Sequence, residues 1–235
     1  MDLQPTLETE RLVLRPMEEA DREALFEVAS DPMVWEQHPI HDRWQREVFD
    51  AFFDEGMASG GALVARRRSD EQVLGSTRYD KLDPQAGGSV EIGWTYLARF
   101  CWGKGINPEM KRAMLTHAFA DVDEVRFRVG DTNYRSRNAL EAIGAVRTEH
   151  YDLERYQGRR VVHLTYAIRR EDFSANLAAS KLLCSSQTPQ RLSGPKRAVL
   201  RRDCFASGSS PRGPRLPWAC QRNSPAPNGH RRALP

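Results

Sequence analysis

The chain has 235 residues, of which 40% are hydrophobic and 29% are charged, and its formal net charge is +3. No apolar run approaches the roughly 20 residues that a membrane-spanning helix needs, and the acidic N-terminus lacks the apolar stretch of a signal peptide. The sequence therefore excludes a membrane-spanning helix, and we expect a cytoplasmic protein with no membrane partner.

In chain order, residues 1–174 alternate between strand-like and helix-like patterns. They predict a strand at 11–15, helices at 18–30 and 43–55, strands at 62–67, 73–79 and 89–97, a helix after Gly103 and Gly105, a strand at 124–130, a helix at 134–143, and a hairpin pairing 146–156 with 160–168. The helix after the glycines has an apolar face of Met110, Ala113, Met114, His117 and Ala118. We expect one α/β domain with about seven mostly antiparallel strands and four helices.

The composition changes sharply near residue 174. Residues 1–174 have a net charge of −7, whereas residues 175–235 have a net charge of +10 and are rich in Ser, Pro, Gly and Arg. Such a segment buries too little apolar area to offset its ordering entropy, so we predict a disordered tail. Coding sequence read past its end or out of frame would give the same change. The charge also fits nucleic-acid binding, but the tail has no folded module and few aromatics, which makes that partner less favoured.

The stretch "WGKGINPEM" (102–110) has two glycines immediately before the predicted helix. A P-loop would need Ser or Thr after the lysine, and a dinucleotide fingerprint would need glycine in place of Pro108. A tight turn between strand and helix is one remaining interpretation. Anion binding is favoured over it, because a helix start offers free N–H groups and a partial positive charge, and Lys104 adds another charge.

Three segments carry a resemblance to one known family. They are the glycine loop and its helix in "IGWTYLARFCWGKGINPEMKRAMLTHAF" (92–119), the N-x-x-S segment in "VGDTNYRSRNALEAIGAV" (129–146), and the opening "LETERLVLRP" (7–16). In this order they resemble the GNAT N-acetyltransferase superfamily, and the opening is similar to the branch that includes the ribosomal-protein alanine acetyltransferases. The family's Gln or Arg before the first glycine is shifted or replaced here, so Arg99 is not carried over as a phosphate ligand.

The resemblance implies acetyl-CoA as the co-substrate, and the spacing of the histidines predicts no metal. The pantetheine would insert between splayed strands 89–97 and 124–130, and backbone N–H groups near Trp94 and Thr95 would polarise the thioester. The pyrophosphate would be held by the backbone N–H groups of Trp102, Gly103, Lys104, Gly105, Ile106 and Asn107. Asn133 and Asn138 would contact the cofactor, although capping and turn formation also explain asparagines at these positions.

Acetyl transfer to an amine needs a base, and Glu91 is the candidate. Strand alternation places it on one face with Gly93, Thr95 and Leu97, and places Val90, Ile92, Trp94 and Tyr96 on the other. Glu91 would take the amine proton directly or through a water. The alternative is a solvent-facing glutamate in a salt bridge.

The departing thiolate needs a proton, and the resemblance implies that Ser136 lies near the sulfur as a hydrogen-bond donor. Helix N-capping is the alternative for Ser136, and Tyr134 is the substitute donor. Cys101 is not favoured as a nucleophile, because no base is near it in sequence and the resemblance implies direct transfer.

The resemblance thus predicts an acetyl-CoA-dependent N-acetyltransferase that moves acetyl to a primary amine of a small molecule or a protein N-terminus. A non-catalytic acyl-CoA sensor is the alternative. Residues 31–44 and the hairpin are candidates for lining the acceptor site or for capping the core. The histidines show no metal-ligand spacing, and the oligomeric state is open, with a homodimer as one option.

Overall fold

The structure is a computed structural model that describes residues 1–85 and 87–175. Its helices and strands are β1 (Leu7–Glu8), β2 (Leu12–Pro16), α1 (Arg22–Ala29), α2 (Pro32–Trp35), α3 (Arg46–Ser59), β3 (Ala62–Arg67), β4 (Val73–Asp83), β5 (Ser89–Leu97), α4 (Ile106–Ala118), β6 (Glu124–Gly130), α5 (Tyr134–Ala142), β7 (Val146–Tyr156) and β8 (Arg159–Arg169). Single 3-10 turns precede α1 and follow β5.

The strands form one sheet in the order β1-β2-β3-β4-β5-β6-β8-β7. Every neighbouring pair is antiparallel except β5 and β6, which are parallel and joined by α4. This confirms the predicted α/β domain with a mostly antiparallel sheet. The described residues contain eight strands rather than seven, because the short β1 pairs with β2 at the sheet edge.

The sheet opens between its two parallel strands. Among the described residues, β5 and β6 pair only over Ser89–Glu91 and Glu124–Arg126, and beyond this point β6 pairs with β8 and not with β5. The carboxyl-terminal halves of β5 and β6 therefore border a cleft, as the splayed pair was predicted to do.

Alternating side chains divide the core between the two faces of the sheet. On β3, Leu63 and Ala65 belong to the apolar cluster that includes α4 and α5, whereas Val64 belongs to the cluster that includes α1, α2 and α3. Alternation along a strand produces this division. The three N-terminal helices and the two later helices thus lie on opposite faces.

Two helix boundaries differ from the prediction. The helix predicted at 43–55 begins at Arg46 and continues to Ser59, where Gly60 at φ 66° ends it in a left-handed conformation. The helix predicted at 18–30 begins as a 3-10 turn at Glu19–Asp21 before α1.

The predicted disordered tail falls almost wholly outside the described residues, so it stays a prediction, as does the domain boundary at residue 174. Within the described part of the chain, no helix has the length and apolar character required to span a membrane.

Candidate active site

The loop that joins β5 to α4 leaves backbone donors free at the start of the helix. Gly103 and Gly105 have φ angles of 69° and 76°, which glycine adopts with little strain. The N–H of Trp102 donates to the Arg99 carbonyl (3.0 Å) and that of Lys104 to the Cys101 carbonyl (3.3 Å). The N–H groups of Gly103, Gly105, Ile106 and Asn107 have no acceptor among the residues described. The predicted set of six backbone donors therefore narrows to four.

These four groups suit an anion. The start of an α-helix carries unsatisfied N–H groups and a partial positive charge, so it attracts phosphate oxygens. A Cβ added at Gly103 would meet no atom of the described residues within 4 Å, so nothing in that part of the chain blocks the loop. The Oδ1 of Asn107 is buried and has no partner among the described residues. Because this oxygen is an acceptor, it adds nothing to the binding of an anion.

The N-terminal segment holds this loop in place. Glu109, in the first turn of α4, accepts hydrogen bonds from Thr9 Oγ1 (2.6 Å) and from the backbone N–H (3.0 Å) and Nε (2.6 Å) of Arg11. Arg11 also donates to the carbonyl of Lys104 (2.9 Å). Burial alone would raise the pKa of Glu109, but the hydrogen bonds from Thr9 and Arg11 lower it overall. No local sequence pattern predicts these contacts, which join two segments about a hundred residues apart.

A β-bulge interrupts β5 beside the cleft. Ser76 and Arg78 on β4 pair with Tyr96 and Gly93, so β5 carries one extra residue between these pairs. Trp94 lies within the bulge at φ 51°, in the left-handed region. A bulge reverses the alternation of the side chains that follow it.

The predicted faces of β5 are therefore wrong after Gly93. Tyr96 packs with the α1–α3 cluster, and the Trp94 ring lies 3.6 Å from the guanidinium of Arg78. Thr95 and Leu97 instead face α4, because the Lys111 ammonium bonds Thr95 and Leu97 joins the α4 cluster. The side chain of Trp94 therefore lies on the face of the sheet that α1, α2 and α3 cover.

Glu91 lies before the bulge and keeps its predicted position beside Gly93. Its Oε1 is 3.6 Å from the point where a Cβ on Gly93 would be, so the glycine leaves space next to the carboxylate. The side chain is only 8% exposed, and its carboxylate pairs with the Lys81 ammonium at 2.7 Å. Glu91 thus makes a salt bridge, but it is buried rather than solvent-facing.

A cavity of about 680 Å³ lies over Glu91 on the sheet face opposite α4 and α5. Charged side chains of both signs line it, mostly from β6 and β7, among them Lys81, Arg126, Arg128, Glu149 and Asp152. The cavity gives Glu91 access to a polar molecule of moderate size.

The start of α5 places Asn133 and Ser136 together. The N-cap is Asn133, whose Oδ1 accepts from the Ser136 N–H (3.2 Å), so the capping alternative applies to Asn133 and not to Ser136. The hydroxyl of Ser136 makes no hydrogen bond within the described part of the chain. Tyr134 is 61% exposed and Asn138 is exposed on the same helix.

These side chains do not gather on one side of the sheet. α5 packs on the face of α4, whereas the side chain of Glu91 lies on the other face. Cys101 is buried, and burial raises the pKa of its thiol, which argues against a nucleophilic thiolate.

The loop at residues 36–45 contacts the tip of the β7–β8 hairpin. Asp42 accepts hydrogen bonds from Tyr156 Oη (2.7 Å) and Gln157 Nε2 (2.8 Å). Trp35, just before the loop, is 2% exposed and packs in the core. For this residue, the alternative of covering the core therefore applies. A Cβ on Gly130, at the end of β6, would come within 2.5 Å of Pro39. The loop therefore borders the end of the cleft.

A family model described as an acetyltransferase (GNAT) domain matches residues 11–146, more than half of the chain. The chain belongs to the GNAT acetyltransferase family. It is 29% identical over 181 residues to an uncharacterised N-acetyltransferase, p20, of Bacillus licheniformis, a match that covers 71% of this chain and 97% of the relative. Its family membership makes the protein an acetyltransferase.

Two solved structures show the same GNAT fold. An acetyltransferase of the family from Bacillus anthracis has a TM-score of 0.60 and 23% identity, covering 71% of this chain and 99% of its own. The spermidine N-acetyltransferase of Vibrio cholerae, in complex with CoA and spermine, has a TM-score of 0.54 and 15% identity with the same coverages. Within the residues described here, no group of His, Cys, Asp or Glu side chains is arranged to hold a metal.

Proposed function

We propose that the protein transfers acetyl from acetyl-CoA directly to a primary amine of a small molecule or a protein N-terminus. Within the family we place it nearest the ribosomal-protein alanine acetyltransferases, on the strength of its opening segment 7–16. The observation that carries the proposal is the set of four free N–H groups at the start of α4, directly beside the cleft between β5 and β6.

The cofactor end of the site would be formed by main chain. The N–H groups of Gly103, Gly105, Ile106 and Asn107 would bind the pyrophosphate, and Lys104 would add positive charge at the loop. The pantetheine would lie between β5 and β6, where each strand has lost its partner on that side. When bound, acetyl-CoA supplies the activated thioester.

The chemical step then needs three groups of this chain. Glu91 takes a proton from the attacking amine, either directly or through a water, as the N–C bond forms. The N–H of Trp94 donates to the carbonyl oxygen as negative charge develops on it. Ser136 donates a hydrogen bond to the sulfur as the C–S bond breaks, and the thiolate finally takes a proton from solvent.

The two faces of the sheet separate the two substrates. α4 and α5 lie on one face, and the cavity over Glu91 opens on the other. An amine in that cavity would approach the thioester through the gap between the strands. This arrangement suits direct transfer and requires no acetylated side chain.

The proposal is tested by measuring thiol release from acetyl-CoA with a panel of acceptors. The panel should include small polyamines, aminoglycoside-type amines and peptides with free N-termini, because the sequence and fold do not choose among them. We expect one class to give saturable release and an acetylated product detected by mass spectrometry. If calorimetry shows tight acetyl-CoA binding and no acceptor consumes it, the protein is an acyl-CoA sensor and the proposed reaction is wrong.

A further inference from the structure

A buried lysine of α4 lies next to the part of β5 at Gly93–Thr95, which we call the acyl end of the cleft. Lys111, in the second turn of α4, is 4% exposed. Its ammonium donates to Thr95 Oγ1 (2.6 Å) and Thr77 Oγ1 (3.1 Å), and it forms no salt bridge with any described carboxylate. Burial lowers the pKa of Lys111 to about 7. An amino group buried without a counter-ion costs stability, which a methionine in the same space would not.

The two threonines extend this contact to the main chain of β5. The hydroxyls of Thr77 and Thr95 are 2.8 Å apart, and Thr95 Oγ1 donates to the carbonyl of Gly93 (3.2 Å). Thr77 is the residue of β4 that lies opposite the bulge. Lys111 therefore anchors a short chain of hydrogen bonds that ends on the peptide joining Gly93 to Trp94.

This peptide has a fixed direction. A trans peptide is planar, so the N–H of Trp94 points opposite to the carbonyl of Gly93, and the described chain has no cis bond. The carbonyl of Gly93 accepts from the hydroxyls of Thr95 (3.2 Å) and Thr77 (3.5 Å), so the N–H of Trp94 is directed away from both hydroxyls. The left-handed φ of Trp94 is strained for a residue other than glycine, and such a conformation persists only where surrounding contacts hold it.

We propose that Lys111, acting through Thr95 and Thr77, is a positioning residue that orients the Trp94 N–H toward the thioester carbonyl. It touches neither substrate. This inference rests on the proposed function, since it assigns a supporting network to the carbonyl-binding N–H of that reaction.

The matched variants are Thr95→Val, which keeps the shape and removes the hydroxyl, and Thr95→Ser, which keeps the hydroxyl. We expect Thr95→Val and Lys111→Met each to lower kcat by about tenfold or more, less than the 100- to 1000-fold typical of deleting an oxyanion donor outright. The KM for acetyl-CoA should stay within about twofold, because the phosphate-binding end is untouched. Thr95→Ser should retain the wild-type rate, and the double variant should lose little more than either single variant.

An infrared measurement tests the network without an acceptor. Acetyl-CoA isotope-labelled at the thioester carbonyl should show a lowered carbonyl stretching frequency on the wild-type protein and on Thr95→Ser. That shift should shrink on Thr95→Val and Lys111→Met. Thermal unfolding identifies any variant that fails to fold, and Thr77→Val then replaces it.

The outcomes separate the two proposals. If the wild type transfers acetyl but Thr95→Val and Lys111→Met keep both kcat and the frequency shift, the positioning role is wrong and the reaction stands. A loss of rate shared equally by Thr95→Ser also contradicts the role, since it indicates packing rather than hydrogen bonding. If the frequency shift follows the hydroxyl but no amine is acetylated, the positioning role stands and the reaction is wrong.

Discussion

The two ends of the cleft are built from different parts of the chain. At the phosphate end, the groups that face the ligand are main-chain N–H groups on exposed glycine-rich backbone. At the acyl end, buried Lys111 donates to Thr77 and Thr95, and Thr95 donates to the carbonyl of the peptide that joins Gly93 to Trp94. The first end should therefore be sensitive to added side-chain atoms, whereas the second should be sensitive to the loss of single polar atoms.

The largest effect should come from Glu91→Gln, which removes the base at the acyl end. General bases contribute about 100-fold or more, so we expect kcat to fall by about that factor while the KM for acetyl-CoA stays near its wild-type value. Steady-state thiol release measures both. Glu124 lines the same cavity, so Glu124→Gln serves as the control. A Glu91→Gln enzyme with wild-type rates across pH would remove Glu91 from the mechanism.

At the phosphate end, Gly105→Val should raise the KM for acetyl-CoA by about tenfold, the equivalent of about 1.4 kcal/mol of binding. Gly105 has φ 76°, and its Cβ would lie 3.3 Å from Arg11 Nη2. Gly158→Val is the matched control, because it places the same side chain at φ 77° in the β7–β8 turn with open space around it. If both variants raise the KM for acetyl-CoA equally, the cause is a general loss of stability, and the loop at Gly103–Gly105 does not bind the cofactor.

The buried amine of Lys111 at the acyl end should make the free energy of unfolding depend on pH. Between the pKa of Lys111 in the folded chain, about 7, and the ordinary lysine pKa of 10.5, the unfolded chain holds a proton that the folded chain does not. Raising the pH through this window therefore favours the folded state, by up to about 1.4 kcal/mol per pH unit.

Lys111→Met lacks this dependence. Denaturant unfolding of both proteins at several pH values should show the wild type gaining stability relative to the variant as the pH rises above 7. A stability difference that is constant from pH 7 to 10 would show that the ammonium is not desolvated.

The smallest effect should come from the support of the phosphate loop. Glu109→Gln weakens the contacts with Arg11 but leaves all four backbone N–H groups in place, so we expect the KM for acetyl-CoA to rise about threefold, with kcat unchanged. Calorimetric titration with CoA should report the same change in affinity. A loss as large as that of Gly105→Val would mean that the loop depends on side chains more than on its own backbone.

The sequence was informative about the phosphate end because its signals are local. Two glycines, a proline allowed in the first turn and an apolar helix pattern are all contained within residues 102–118, and they predicted both the loop and α4. Even there, no sequence pattern indicates that the N–H groups of Trp102 and Lys104 are engaged in hydrogen bonds within the turn.

The acyl end was harder to predict because its determinants are tertiary. Period-two alternation placed Trp94 and Tyr96 with Val90 and Ile92, and a single extra residue in the bulge reversed this. Lys111 lies outside the apolar face predicted for α4, yet it is buried. His117, which was predicted on that face, is partly exposed and contacts the carbonyl of Asp2. No local pattern indicates which strand residues such a lysine would meet.

The exposed backbone N–H groups at the start of α4 affect how readily the product CoA leaves the enzyme. Its N–H groups would bind phosphates that the reaction leaves unchanged, so they would hold spent CoA as firmly as the acetylated form. Discrimination between acetyl-CoA and CoA would then depend on the acyl end alone. We therefore expect marked product inhibition by CoA and a catalytic cycle paced by the exchange of one cofactor molecule for the next.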